Sequence, residues 1–149
     1  TLTKNNTLEL RSLCPVATGL DILGDKWTLL ILRDMIWGHK CFFGEFKESP
    51  EQMPSKMLSN RLKKLESTGF VSRMKGVLNK KNVHYLLEDK GMETFPIMVE
   101  IMIFTTDFFH DHLGDTYTGL VKTRMKNDKE NYINEMIDSY KSFKESLVI

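Results

Sequence analysis

A chain of 149 residues, 41% apolar and 28% charged, has the length and composition of one ordinary globular domain with room for an appended segment. Its net charge of +1 says nothing about partners, and two cysteines, Cys14 and Cys41, are too few for a disulfide framework or a metal cluster. The most apolar run, Phe95 to Phe109, carries Glu100 and Asp107 and is shorter than the ~20 residues that cross a bilayer; no membrane partner is expected, and the expected location is cytoplasmic.

Residues 1–13 are polar and weakly patterned and read as an N-terminal arm. Cys14-Pro15 opens a helix, because proline suits a first helical turn, and Val16, Leu20 and Leu23 follow at i, i+4 and i+7. Gly24-Asp25 breaks it. A second helix is predicted from about Lys26 to Trp37. Its Trp27, Leu30, Ile31 and Met35 fall at helical spacing, and Leu29, Leu32 and Ile36 thicken the stripe, which implies burial on most sides. Gly38-His39-Lys40 is a turn. Phe43 to Lys47 is a short third helix, with Phe42, Phe43 and Phe46 as its core contacts. Ser49-Pro50-Glu51-Gln52 leads to a fourth helix, from Pro54 to about Thr68. There Leu58, Leu62 and Leu65 form a buried face, and Gly69 closes the helix at the C′ position.

Phe70 to Lys75 and Val83 to Leu87 contain Val, Phe, Tyr and Leu in partial alternation, and the segment between them, GVLNKKN, has Gly, Asn and paired Lys. This is a two-stranded hairpin with a basic tip. A short helix, a turn, a basic helix and a hairpin make a winged helix-turn-helix. One long apolar helix is predicted from Gly91 to Phe109, using Met92, Phe95, Met98, Val99, Met102, Ile103 and Phe109. One small domain does not easily bury all of these, and a dimer seam is the natural use. Beyond Gly114, Tyr132, Met136, Tyr140, Phe143 and Leu147 mark an amphipathic helix from about Asp128 to Ser146. The expected fold class is mainly α with a small β-hairpin wing (α+β), a winged helix-turn-helix with N- and C-terminal dimerisation helices. The expected organisation is an arm at 1–13, a DNA-binding domain at 14–90, a dimerisation helix at 91–112 and a C-terminal helical extension at 113–149.

From Pro54 to Asn82 eight Lys/Arg stand against Glu66 alone, a local charge of +7. That is a phosphate-binding footprint or, more plainly, a solvated helix face and a polar hairpin. On the fourth helix Ser55, Lys56, Ser59, Asn60 and Lys63 suit base edges, since Asn pairs bidentately with adenine and Lys reaches guanine. Lys64 is assigned to phosphate. Arg61 follows the leucine face and suits an internal carboxylate as well as it suits a phosphate. Arg73, Lys75, Lys80 and Lys81 on the wing would add affinity by counterion release. No glycine-rich phosphate loop, zinc spacing or nucleophile motif is present, so no enzyme, catalytic residue or cofactor is expected. His110 and His112, two residues apart, do not share a helix face, and no metal is expected. Cys14 precedes a helix start, where N–H groups and the dipole favour a thiolate; it is a redox candidate or a small buried apolar residue. Met35, Met53, Met57, Met92, Met98 and Met102 either line a pocket for a small-molecule effector or fill core.

Six stretches together carry a resemblance: Cys14-Pro15-Val16, Leu20 to Asp34 (LDILGDKWTLLILRD), Phe43 to Phe46, Leu58 to Glu66, Gly69 to Arg73 and Tyr85 to Gly91. In this order and spacing they resemble the HxlR-type winged-helix transcriptional regulators, relatives of the MarR type, over about Cys14 to Phe109. The resemblance implies a cytoplasmic prokaryotic homodimer that binds double-stranded operator DNA without catalytic activity. In several members a cysteine at the position of Cys14 senses electrophiles or oxidants. Pro54 stands where members carry a small capping residue, so Ser55 is expected to take the cap. Glu88 stands where members often carry Thr, so Glu88 or Asp89 is expected to cap the dimer helix. The reading is a sequence-specific DNA-binding transcriptional regulator acting as a homodimer. Its alternatives are a thiol-based sensor switched through Cys14 and a winged-helix protein-interaction module.

Overall fold

The computed structural model describes residues 11–76 and 82–147. The chain divides at Gly91/Met92 into two compact units. Among the described residues no helix is long and apolar enough to cross a membrane.

In the first unit, α1 (Pro15–Leu23) starts after an extended Cys14 and stops at Gly24. Asp25 then organises the start of α2 (Thr28–Gly38): its Oδ1 accepts the N–H groups of Trp27 (2.9 Å) and Thr28 (3.1 Å), and its Oδ2 accepts the Thr28 hydroxyl. A carboxylate at this position satisfies donors that have no intrahelical partner. Ile31, Leu32, Met35 and Ile36 of α2 are buried, and α2 ends at His39 in a left-handed conformation (φ 51°). In α3 (Phe43–Lys47), Glu45 reaches back to accept the N–H groups of Cys41 (3.1 Å) and Phe42 (3.0 Å). Phe46 is buried, whereas Phe43, expected in the core, is exposed. A helix this short turns one apolar position inward, and Phe46 takes it.

Helix α4 (Ser55–Ser67) begins with Pro54 as its N-cap, and no side chain caps it. Ser55 is the first helical residue rather than the cap. Pro54 serves there because that position needs only a carbonyl, which accepts the N–H of Leu58 (3.0 Å). At the other end Gly69 N–H bonds Glu66 O (3.1 Å) and Phe70 N–H bonds Leu65 O (2.9 Å), the paired closure that requires a left-handed residue. Gly69 supplies it at φ 84°. The chain leaves directly into β1 (Val71–Lys75), antiparallel to β2 (Val83–Leu87), with Val71 opposite Leu87, Arg73 opposite Tyr85 and Lys75 opposite Val83. Val71, Leu86 and Leu87 are buried, and Tyr85 N–H also bonds Cys41 O (2.8 Å), tying the hairpin to the segment before α3. The hairpin base packs tightly on Gly91, where an added Cβ would lie 2.3 Å from Phe70 O.

The long helix expected from Gly91 is two pieces, α5 (Asp89–Met92) and α6 (Phe95–Phe109). Pro96 is the cause: it cannot donate to the preceding turn and is tolerated only in a first turn. Thr94, not Glu88 or Asp89, is the N-cap residue of α6. In the second unit Phe95, Met98 and Val99 of α6 are buried, with the Phe95 ring 5.8 Å from that of Tyr132. Residues 115–127, unassigned from the sequence, form α7 (Asp115–Leu120) and one wide turn, Val121–Met125, in which Lys126 N–H reaches five residues back to Val121 O (3.0 Å). Helix α8 (Lys129–Leu147) buries Tyr132 and Tyr140 and pairs Lys129 with Glu100 of α6 (2.5 Å). Lys126 pairs with Asp107 of α6. Ile97, Ile101, Phe104 and Phe108, at i, i+4, i+7 and i+11, form a separate apolar stripe on α6 that is exposed, Phe108 to 70%. Of the positions expected at the dimer seam, Met92, Phe95, Met98 and Val99 are buried, Met102 and Ile103 are half-buried, and Phe109 is exposed beside the stripe.

Candidate nucleic-acid interface

Leu58, Leu62 and Leu65 bury one side of α4 almost completely. The opposite side is thereby turned to solvent. Lys56, Asn60 and Lys63, at i, i+4 and i+7, share one exposed stripe there; Ser55 is exposed in the first turn and Ser59 is half-buried beside it. On the hairpin, Arg73 and Lys75 alternate onto one exposed face of β1. Lys80 and Lys81 lie outside the described residues.

Two cations of the charge cluster do not join this surface. Arg61 donates from Nε to Asp25 Oδ1 (2.9 Å), which decides between its two expected partners in favour of the internal carboxylate. Lys64, assigned to phosphate from the sequence, donates from Nζ to the Asp21 carbonyl (3.0 Å). Both sit on one flank of α4, next to the junction of α1 and α2, because residues three apart share one side of a helix. Burial pushes the Asp25 carboxyl up, but the Thr28 hydroxyl, the Arg61 guanidinium and two backbone N–H groups outweigh it and hold the carboxyl at about 2.

The turn between α3 and α4 is fastened to α2. Arg33 grips Glu51 bidentately (2.6 and 2.9 Å) and also donates to Asp34 (2.8 and 3.0 Å). Hydrogen bonding to Arg33 holds the Glu51 carboxyl at about 2 against the effect of burial, and that to Glu51 raises the Arg33 guanidinium above its ordinary range. Ser49 donates its hydroxyl to Asp34, and Lys40 donates to Ser49 Oγ (3.1 Å). Lys47 Nζ reaches Met53 O (2.6 Å). Sequence reasoning missed Asp21, Asp25, Arg33 and Glu51. The signal for Asp25 was present: an Asp ahead of Thr28 and an apolar run is a helix-start pattern.

Of the two cysteines, Cys14 is exposed and Cys41 is buried. Burial and the neighbouring Glu45 push the Cys41 thiol up to about 11, which makes it a poor nucleophile. Met35, Met53, Met92 and Met98 are buried. His110 and His112 fall in a short 3-10 turn (His110–His112), and among the described residues no group of His, Cys, Asp or Glu is gathered as a metal site.

A short helix, a turn, a helix with a polar and basic outer stripe, and a two-stranded hairpin constitute a winged helix-turn-helix. Residues 22–113 match the HxlR-like helix-turn-helix family, and the chain belongs to it. It is 30% identical over 97 residues to YdzF of Bacillus subtilis (strain 168), an uncharacterized HTH-type transcriptional regulator, covering 62% of this chain and 89% of YdzF. YdeP of the same organism, described in the same words, is 33% identical over 88 residues, 59% of this chain and 68% of YdeP. Among solved structures, the reduced form of the transcriptional regulator YodB from B. subtilis is similar at a TM-score of 0.54 and 27% identity, over 70% of this chain and 100% of that one. The crystal structure of PA1607 is similar at a TM-score of 0.60 and 34% identity, over 69% and 70%.

Proposed function

We propose that this DNA-binding transcriptional regulator acts as a homodimer on operator DNA, with the outer stripe of α4 in the major groove and the hairpin on flanking phosphates. The observation that carries the reading is the stripe itself: Lys56, Asn60 and Lys63 exposed together, opposite buried Leu58, Leu62 and Leu65. Asn60 and Ser59 read base edges; Lys56 and Lys63 reach guanine or phosphate; Ser55 meets the backbone near the helix start; Arg73 and Lys75 hold the flank. The homodimer is supported by the apolar stripe on α6 and by Leu13, Val16 and Leu20, which are exposed around α1, Val16 to 71%. DNA is the partner, and the cytoplasm of a prokaryotic cell is where such a regulator meets it. The relatives named above are regulators rather than enzymes, in keeping with this role.

The test is a salt titration of binding to a short duplex, followed by fluorescence anisotropy, for wild type and Lys63→Ala. The expected result is weaker binding and a plot of log affinity against log salt that is shallower by about 0.9 for each protomer bound, one released counterion per Lys63. Identical affinity and slope would remove Lys63 from the interface.

A further inference from the structure

Apolar packing is non-directional. Leu58, Leu62 and Leu65 therefore set how deeply α4 is seated, while its exact roll also depends on the directional contacts made from its flank. That rotation matters for reading DNA. A roll of ~20° carries a side-chain tip ~6 Å from the helix axis through roughly 2 Å. The window between a good and a broken hydrogen bond is only about 0.5 Å wide.

Arg61 and Lys64, one turn apart on the same flank of α4, meet two separate anchors. Arg61 Nε lies 2.9 Å from Asp25 Oδ1, and Lys64 Nζ lies 3.0 Å from the Asp21 carbonyl. The anchors bracket Gly24, where α1 ends. Each is itself held: Asp25 by the N–H groups of Trp27 and Thr28 and the Thr28 hydroxyl, Asp21 through its carboxylate by Arg11 Nε at 2.7 Å. Two polar attachments at different heights along α4 specify its roll as well as its depth. The Arg61 side chain is 23% exposed and its charge is matched by Asp25, so it has little to offer a phosphate.

We propose that Arg61 and Lys64, although basic and on the recognition helix, are positioning residues that fix the roll of α4 through Asp25 and the Asp21 carbonyl, and are not DNA ligands. The proposal rests on the reading of the Lys56–Asn60–Lys63 stripe as the DNA-facing surface. Its consequence is specific. A helix free to roll still brings Lys56 and Lys63 near phosphates, which need no exact register, while contacts to base edges are lost. Arg61 and Lys64 therefore govern sequence discrimination and leave non-specific affinity alone.

The experiment uses the full chain, a duplex selected by the wild-type protein from a randomised pool, and a random-sequence duplex, each across a salt series. Lys64→Met and Arg61→Met are expected to lose about tenfold on the selected duplex, to bind the random duplex within about twofold of wild type, and to keep the wild-type salt slope. Asp25→Asn keeps an oxygen to cap α2 and should reproduce the loss; combined with Arg61→Met it should add little. Lys64→Met removes one hydrogen bond from an otherwise intact core and keeps the test open should a change at Arg61 or Asp25 unfold the chain. A salt slope shallower by ~0.9 for each protomer bound, with both duplexes weakened together, would make these residues phosphate ligands and overturn the proposal. A lower melting temperature with an unchanged ratio of the two affinities would reduce them to structural residues and overturn it equally. Lys63→Ala run alongside separates the two readings: a wild-type slope there overturns the DNA-facing stripe itself, whatever Arg61 and Lys64 do.

Discussion

Asp25 concentrates more structural consequence than any single position in the recognition stripe. Its carboxylate starts α2 and receives Arg61 from α4, thirty-six residues away in sequence. The carboxyl is held at about 2 in the folded chain against an ordinary 3.8. A group depressed by folding contributes stability that is fully present above its unfolded value and is lost as pH falls through the folded one. Glu51, held at about 2 by Arg33 against an ordinary 4.5, acts in the same direction. Thermal melts should therefore show stability falling between about pH 4.5 and pH 2. Asp25→Asn should cost about 2 kcal/mol near neutral pH and flatten the acid limb. An acid limb unchanged by that substitution would mean that the Thr28 hydroxyl, the Arg61 guanidinium and the two backbone N–H groups together favour the Asp25 carboxylate little in the folded chain. An internal carboxylate for Arg61 was among the sequence expectations, but which one was not legible, because spacing along a chain does not disclose which distant residue will meet a guanidinium.

At the scale of elements, what was legible follows from locality. The leucine repeat, Gly69 and the Val/Tyr/Leu alternation of the hairpin act within a few residues, and α4, its closure and both strands lie close to where those patterns put them. The misses lie where a wider context decides. Pro96 divides the expected long helix into α5 and α6, and residues 115–127 form α7 and a wide turn with no long apolar period to announce them. Part of the face of α6 expected to pair with a second chain is covered, Phe95 lying against Tyr132 of α8, while Phe109 of that face and the stripe Ile97, Ile101, Phe104 and Phe108 stay exposed. The Phe104 and Phe108 rings lie 5.1 Å apart on that stripe. Placing a charge there, as in Phe104→Glu, should leave the fold intact, since the side chain is already exposed, and should shift the chain from dimer to monomer in sedimentation velocity. A variant that sediments like wild type would show that α6 does not carry the association.

At the scale of the molecule, two units divide the work: one holds the helix-turn-helix and hairpin, the other the exposed stripe of α6 with the extension folded onto its neighbouring face. The described cations of the +7 cluster separate into those that face outward (Lys56, Lys63, Arg73 and Lys75) and those bonded internally (Arg61 and Lys64). On the proposed reading, the outward cations hold phosphates, the seating of α4 sets discrimination, and association of two such chains would fix the distance between two reading helices. Hydroxyl-radical footprinting of the wild-type protein on a duplex it selects from a randomised pool tests this most directly. Two protected patches on one face of the DNA are expected, their centres one helical turn apart, ~34 Å. Absence of protection on any duplex at low salt would contradict it.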